Sequence, residues 1–438
     1  MDSYIRESEE LLAFIEKSPT SFHAVANICR LLEDKGFEEL SENSRWEVAR
    51  GGRYYVTRNG SSVIAFQVPE QEFGAFQLIC SHTDSPSFKV KEQAELETDK
   101  KYTKLNVEKY GGMLCAPWFD RPLSVAGRVT ADTSDGIRQI LVNVDRDLLM
   151  IPNVAIHMNR NANDGQAYNV QQDMCPVFGD ESAKGSFREL IASEAGVPSD
   201  AVLGMDLFLY NRQKGVIWGR DREFIASPRL DDLQCAFASL KGFLASAPGG
   251  NVSVYCAFDN EETGSVSRQG AASTFLKDTL YRLNLALGRS AEEYLTAVAG
   301  SFLISADNAH AVHPNHPEYA DPQNRPQMNR GIVIKYNANQ KYTTDGVSTA
   351  VFRRICRMAE VPCQTFANRS DMAGGSTLGN ISNTQVSLRA VDIGLPQLAM
   401  HSPYETAGVK DTLYFERAAE AFYGSTIRIA ADGTIRIS

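Results

Sequence analysis

The sequence predicts an α/β protein with a mixed central sheet flanked by helices and interrupted by a β-rich insertion. Two observations carry this. Short apolar runs alternate with helical periodicity up to Pro86 and again after Ile225, the pattern of a parallel or mixed sheet covered by helices. From Ser87 to Ile225 that periodicity nearly vanishes, and short alternating segments sit among turn residues. The expected division is one α/β domain made of residues 1–86 and 226–438, hosting a second domain at 87–225.

Residues 4–17 read as an amphipathic helix broken at Ser18 to Ser21. A second helix runs from about Phe22 to Lys35, stopped by Gly36. Asn59-Gly60, between Tyr54–Thr57 and Val63–Gln67, signals a hairpin with a two-residue turn. Ala75–Cys80 has the length and apolarity of a buried strand. Within the insertion, Ser124–Thr130 and Gln139–Val144 alternate as strands do, and only 186–195 look helical. Beyond Ser227 follow a helix from about Asp231 to Ala245, strands Val252–Phe258, Phe302–Ser305 and Ile332–Tyr336, and a helix Val347–Glu360.

At 438 residues and 43% hydrophobic content the chain has enough apolar material for large cores. No stretch approaches the ~20 apolar residues of a membrane span, and Met1 to Glu7 lack the order of a secretion signal. Both point to a cytoplasmic protein with no membrane partner. The net charge of −10 argues against a nucleic-acid partner. The 8 cysteines show no Cys-x-x-Cys spacing, so free thiols are expected and a thiolate zinc site is not.

The chemistry gathers at the ends of apolar runs. Ala75–Cys80 leads into Ser81-His82-Thr83-Asp84, and Val252–Phe258 into Asp259-Asn260-Glu261-Glu262. Phe302–Ser305 leads into Ala306-Asp307-Asn308-Ala309-His310, and Leu398–Met400 into His401. Asp231 opens a helix after Ser227-Pro228-Arg229-Leu230. Open α/β sheets bind ligands at the carboxyl ends of their strands, so four strands are expected to deliver these groups to one edge.

Two histidines with three or four carboxylates, and no thiolate, suit a pair of zinc ions or similar divalent metals. Such a pair, ~3.5–4 Å apart, acidifies water and polarises a scissile carbonyl. One glutamate of the adjacent pair would coordinate while the other stays free as general base. Asp84, two residues beyond His82, is placed to orient its ring. Singly, each motif has a plainer reading: a solvated turn for Glu261-Glu262, a helix cap for Asp231-Asp232, a snorkelling surface lysine for Lys335. Their joint occurrence selects a metal site.

At these residues the sequence resembles the aspartyl aminopeptidase family of co-catalytic zinc metallopeptidases. The resemblance spans nearly the whole chain. It rests on Ser18-Pro19-Thr20-Ser21-Phe22-His23, Ser81-His82-Thr83-Asp84-Ser85-Pro86, Ser227-Pro228-Arg229-Leu230-Asp231, Asp259-Asn260-Glu261-Glu262-Thr263-Gly264, His310-Ala311-Val312-His313-Pro314-Asn315 and Ala399-Met400-His401-Ser402, among others.

The resemblance implies a zinc-peptidase fold whose insertion is a dimerisation and substrate-access domain. It implies two Zn2+ per subunit, with Mn2+ or Co2+ able to replace one. His82 and Asp307 would hold one ion, Glu262 and His401 the other, and Asp231 both. Glu261 would be the general base and Asp84 the orienting carboxylate, and the Asp231–Asp232 peptide bond would be cis. His310, Lys335 and Tyr342 match substrate-contacting positions, with the Lys335 ammonium set to pair an acidic first residue. His157 would reach a neighbouring subunit's site, donating to the carbonyl oxygen as it becomes an oxyanion, in a tetrahedral dodecamer built from dimers. His23, His313 and His316 are not expected to ligate. Met113–Pro117, Met372–Gly375 and Asn260 depart from the family pattern and bear on substrate preference.

The expected function is removal of N-terminal, acidic residues from peptides by a metal-dependent aminopeptidase. A two-metal deacylase or amidase of small acylated amino acids is the alternative within hydrolases. A non-catalytic peptide-binding shell should have lost the base or a ligand, and none is missing.

Overall fold

Strands Ser62–Gln67, Phe76–His82, Val252–Phe258 and Phe302–Ala306 are buried at every position, which requires cover on both faces. In the computed structural model, which describes residues 2–438, they form the middle of a nine-stranded sheet. Its order is Glu38–Glu39, Arg53–Arg58, Ser62–Gln67, Val252–Phe258, Phe76–His82, Phe302–Ala306, Arg389–Gly394, Ile332–Tyr336, Cys363–Ala367. The ladders joining Val252–Phe258, Phe76–His82, Phe302–Ala306 and Arg389–Gly394 are all parallel, so their carboxyl ends share one edge. Alternate side chains feed two cores. Phe76, Leu78 and Cys80 pack with helices Phe275–Ala286 and Ala291–Ala299, whereas Ile79, Tyr255 and Ile304 face helices that include Leu230–Ala245 and Asp411–Gly424.

The expected two-residue hairpin turn has three residues: Arg58 pairs with Ser62 across Asn59-Gly60-Ser61. Asn59 and Gly60 take positive φ, 59° and 65°, which asparagine tolerates and glycine adopts freely for want of a Cβ. The third residue is held from elsewhere, Ser61 O accepting from Thr83 Oγ1 at 2.8 Å.

Between Ser87 and Asn211 six strands form a separate antiparallel sheet around a core that includes Phe88, Trp118, Leu207 and, from helix Phe187–Ala195, Ile191. A third sheet of five strands joins Val216–Trp218 and Phe224–Ser227 to Glu405–Gly408, Pro396–Leu398 and Ala309–His310. The boundary drawn after residue 225 thus falls inside strand Phe224–Ser227. One expectation is corrected here. The strand before His401 is Pro396–Leu398, belongs to the five-stranded sheet, and stops short, because Ala399 and His401 adopt left-handed backbone with φ 55° and 64°. Three strands of the main sheet and a turn of the five-stranded sheet therefore meet. Among the described residues no helix is long and apolar enough to cross a membrane, and all eight cysteines are free.

Candidate active site

Each acidic or imidazole group reaches the shared edge by a local device. His82 is the last residue of its strand and Asp307 the first after Phe302–Ala306. Glu261 and Glu262 form a short 3-10 turn, entered by Asn260 at φ 64°. Asp231 stands at the mouth of helix Leu230–Ala245, and its peptide bond to Asp232 is cis. His401 ends the left-handed turn from the five-stranded sheet.

The five groups converge. His82 Nε2 lies 3.4 Å from Asp231 Oδ1 and 3.9 Å from Asp307 Oδ1. His401 Nε2 lies 3.7 Å from Asp231 Oδ2 and 3.4 Å from Glu262 Oε2. The two oxygens of Asp231 thus face different histidines. Zinc ligands at ~2.0–2.2 Å in a tetrahedron sit ~3.4 Å from one another, which these separations match. Glu262 Oε1 is buried without a hydrogen-bond partner, as expected of an oxygen reserved for a cation. The donor set, imidazole and carboxylate without sulfur, also suits zinc.

Electrostatics point the same way. Burial, reinforced by Asp231, pushes the Glu262 carboxyl well above its ordinary range. Burial likewise lifts Glu261 to about 8, although His82 opposes it. Burial would depress the His82 imidazole, but Asp232, Asp231, Asp307 and Asp84 raise it well above its usual value. Crowded, desolvated carboxylates of this kind are stabilised by divalent cations.

Asp84 braces the site. Its Oδ1 accepts from Glu261 N at 3.1 Å, and its Oδ2 from Glu262 N at 3.2 Å and Tyr110 Oη at 2.7 Å. His82 Nδ1 lies 3.1 Å from the Asp84 carbonyl and 3.4 Å from its carboxylate.

Three supporting groups escaped the sequence reading. Glu405 accepts from Asp231 N at 3.0 Å and His401 N at 2.8 Å. Asp232 accepts from His82 N at 3.1 Å. Tyr110 Oη, besides donating to Asp84, accepts from Asn260 Nδ2 at 2.8 Å. Asp232 had a signal in its place beside Asp231, and Tyr110 in the Tyr110-Gly111-Gly112 motif shared with the family; Glu405 had none.

A cavity beside the cluster is lined by Glu261, Asp307, His310, Lys335, Tyr342 and His401, among others. Lys335 is no snorkelling surface residue: it is 3% exposed, with Nζ 3.8 Å from Asp307 Oδ2 and 5.5 Å from the centre of the Tyr342 ring. Burial would raise the Asp307 carboxyl, but Lys335 and then His82 hold it below its usual range. His157 is elsewhere, exposed in a turn of the insertion. His23 meets Thr20 Oγ1 at 2.9 Å, and His313 and His316 lie exposed in a loop.

The family model described as aminopeptidase I zinc metalloprotease (M18) matches residues 14–423. The chain belongs to the M18 family of zinc aminopeptidases. A relative from Clostridium novyi (strain NT), described as a probable M18 family aminopeptidase 2, is 45% identical over 431 residues, covering 97% of this chain and 100% of its own. The cryo-EM structure of the Ape4 and Nbr1 complex matches with a TM-score of 0.93 at 36% identity, over 96% of this chain and 86% of that one. The S. cerevisiae mApe1 dodecamer matches with a TM-score of 0.84 at 28% identity, over 97% and 99%. As an M18 member the protein is a zinc metalloaminopeptidase, a hydrolase.

Proposed function

We propose that this M18 aminopeptidase releases acidic N-terminal residues, Asp or Glu, from peptides with two Zn2+ per subunit, one replaceable by Mn2+ or Co2+. His82 and Asp307 would hold one ion and Glu262 and His401 the other. The observation that carries the reading is Asp231, whose two oxygens lie between the two histidines as a shared ligand's would. Zinc, when bound, acidifies a water and polarises the scissile carbonyl. Glu261, outside both ligand sets and lining the cavity, takes the proton and returns it to the leaving amine. Asp84 accepts the N–H groups of both glutamates and so positions the turn that carries them. At the cavity wall the Lys335 ammonium receives the substrate's side-chain carboxylate, with His310 and Tyr342 framing it.

The same reading assigns residues 87–225 to dimerisation and substrate access, in the cytoplasm. The mApe1 structure is a dodecamer, and the turn carrying His157 exposes Val154, Ile156 and Met158, the last 83% exposed. Such an apolar tip on a monomer marks a surface that a neighbouring subunit covers, from which His157 would enter that subunit's site in a tetrahedral dodecamer.

The test is Glu261→Gln. Turnover of an Asp-terminated peptide is expected to fall by ~10²–10⁴, while metal analysis still finds two zinc ions per chain and the oligomer keeps its size. Undiminished turnover would show that the base is another group.

A further inference from the structure

Two thiols meet where helix Gly346–Met358 turns back into strand Cys363–Ala367. The helix ends in a tight reversal. Glu360 takes left-handed backbone at φ 55°, Val361 N donates to the Cys356 carbonyl at 2.9 Å, and Glu360 N donates to the Arg357 carbonyl at 3.2 Å. This pair of bonds around a left-handed residue is the Schellman arrangement, which satisfies the last helical carbonyls and redirects the chain. The carbonyl of Pro362 then accepts from Ile332 N at 3.1 Å, which fixes the entry of the strand into the main sheet. The reversal brings the Cys356 and Cys363 thiols within hydrogen-bonding reach of each other.

The two thiols differ. Cys356 is buried in the core that includes Phe352 and Ile355, whereas Cys363 is half-buried on the edge strand of the nine-stranded sheet. Arg353, one turn before Cys356, and Arg357, just after it, are exposed on the helix. The hydrogen bond from Cys356 and then these two charges hold the Cys363 thiol down to about 6, against the upward pull of burial. The same contact, then burial, pushes Cys356 up. At neutral pH Cys363 is therefore the thiolate, the reactive form, and Cys356 keeps its proton. Cys80 and Cys256 also stand opposite each other, on neighbouring parallel strands, but both are fully buried and out of an oxidant's reach. Cys29 is half-buried, yet burial, Glu39 and Glu33 push its thiol up to about 12.

We propose that Cys356 and Cys363 are a reversible thiol–disulfide pair oxidised by hydrogen peroxide, with Cys363 attacking and Cys356 resolving. The Cys363 thiolate attacks one peroxide oxygen, the O–O bond breaks, and the departing hydroxide takes a proton from solvent to become water. Cys363 is then a sulfenic acid. The Cys356 sulfur attacks the Cys363 sulfur, its proton passing to the hydroxide that leaves. The S–S bond forms, the S–O bond breaks, and a second water departs. The two thiols have been oxidised to a disulfide and the peroxide reduced to water, and a thiol reductant reverses the bond by exchange. Cys363 opens the strand that places Phe366 in the wall of the catalytic cavity, so the bond ties that wall to the helix. The pair lies outside the zinc ligands and does not depend on their assignment.

The assembled, zinc-loaded enzyme is treated with hydrogen peroxide, blocked with iodoacetamide in denaturant, digested with trypsin, and mapped by mass spectrometry with and without dithiothreitol. Cleavage after Arg354, Arg357 and Arg369 separates the two cysteines. A bond between them is expected as a cross-linked peptide pair, lighter than its parts by two hydrogen atoms and split by the reductant. Before oxidation, native Cys363 should be alkylated at neutral pH at least about tenfold faster than Cys29. Cys363→Ser should give no cross-link, and Cys356→Ser should stop at a sulfenic acid on Cys363 that dimedone traps. Absence of the cross-linked pair from the oxidised parent enzyme would overturn the proposal. So would bonds formed as readily between other cysteines, or alkylation and dimedone labelling no greater at Cys363 than at Cys29.

Discussion

Glu261 and Glu262 are neighbours in the chain, and one carboxylate, Asp84, takes both of their amide hydrogens. The adjacent pair was legible as chemistry, and the family resemblance offered Glu262 as the ligand and Glu261 as the base; the structure adds that Glu262 Oε2 lies 3.4 Å from His401 Nε2. Lys335 was legible as a residue but not as a buried one. Its predicted role has a sharp test. Lys335→Met should cut the kcat/KM ratio of Asp- over Leu-terminated peptides at least tenfold, about 1.4 kcal/mol of discrimination, and an unaltered ratio would remove Lys335 from specificity. Zinc affinity should also weaken, because Asp307 loses the cation that holds it ionised. Glu405 left no trace in the sequence: its partner Asp231 lies 174 positions away, and nothing in Tyr404-Glu405-Thr406 distinguishes it from a surface carboxylate.

At the scale of elements, strands Val252–Phe258 and Ile332–Tyr336 occupy the residues their apolar runs predict, since burial on both faces leaves a mostly apolar run. Helix Asp411–Gly424 carried no such signal. It packs along Leu230–Ala245 and is buried on several sides, from Asp411 and Thr412 to Phe422 and Tyr423, which blurs the polar stripe that reveals a surface helix. The run Leu398–Met400 misled for the opposite reason: apolar residues there form a left-handed turn. Gly111 illustrates how an element from the insertion touches the site. It has φ 78°, and a Cβ would meet Glu262 Cβ at 3.0 Å and its carbonyl at 3.1 Å. Gly111→Ala should therefore lower stability by about 1 kcal/mol or more and speed zinc loss to a chelator. Parent-like denaturation and zinc retention would show that the loop yields freely.

Across the whole molecule, the N-terminal helices close over a cleft beside strand Phe224–Ser227, and His23 reports that closure. Its folded pKa, about 4, lies below the ~6.5 of an unfolded chain. Between those values the unfolded state binds more protons, so stability rises with pH. The contribution is intact above 6.5 and is lost as pH falls toward 4. His23→Gln removes it. The difference in unfolding free energy between parent and variant should be flat above pH 7 and shrink as pH drops from 6.5 to 4; a flat difference across that range would mean that His23 titrates normally.

The sequence by itself determined the strands that are buried on both faces, the β-rich texture of 87–225, and the residue types of a sulfur-free metal site, because each is a local property of composition and period. Only the tertiary structure decided that Asp231 stands between two histidines, that Lys335 is enclosed, and that His401 arrives from the five-stranded sheet. Those facts depend on distances between residues hundreds of positions apart, and such distances are set by how sheets stack rather than by any local pattern.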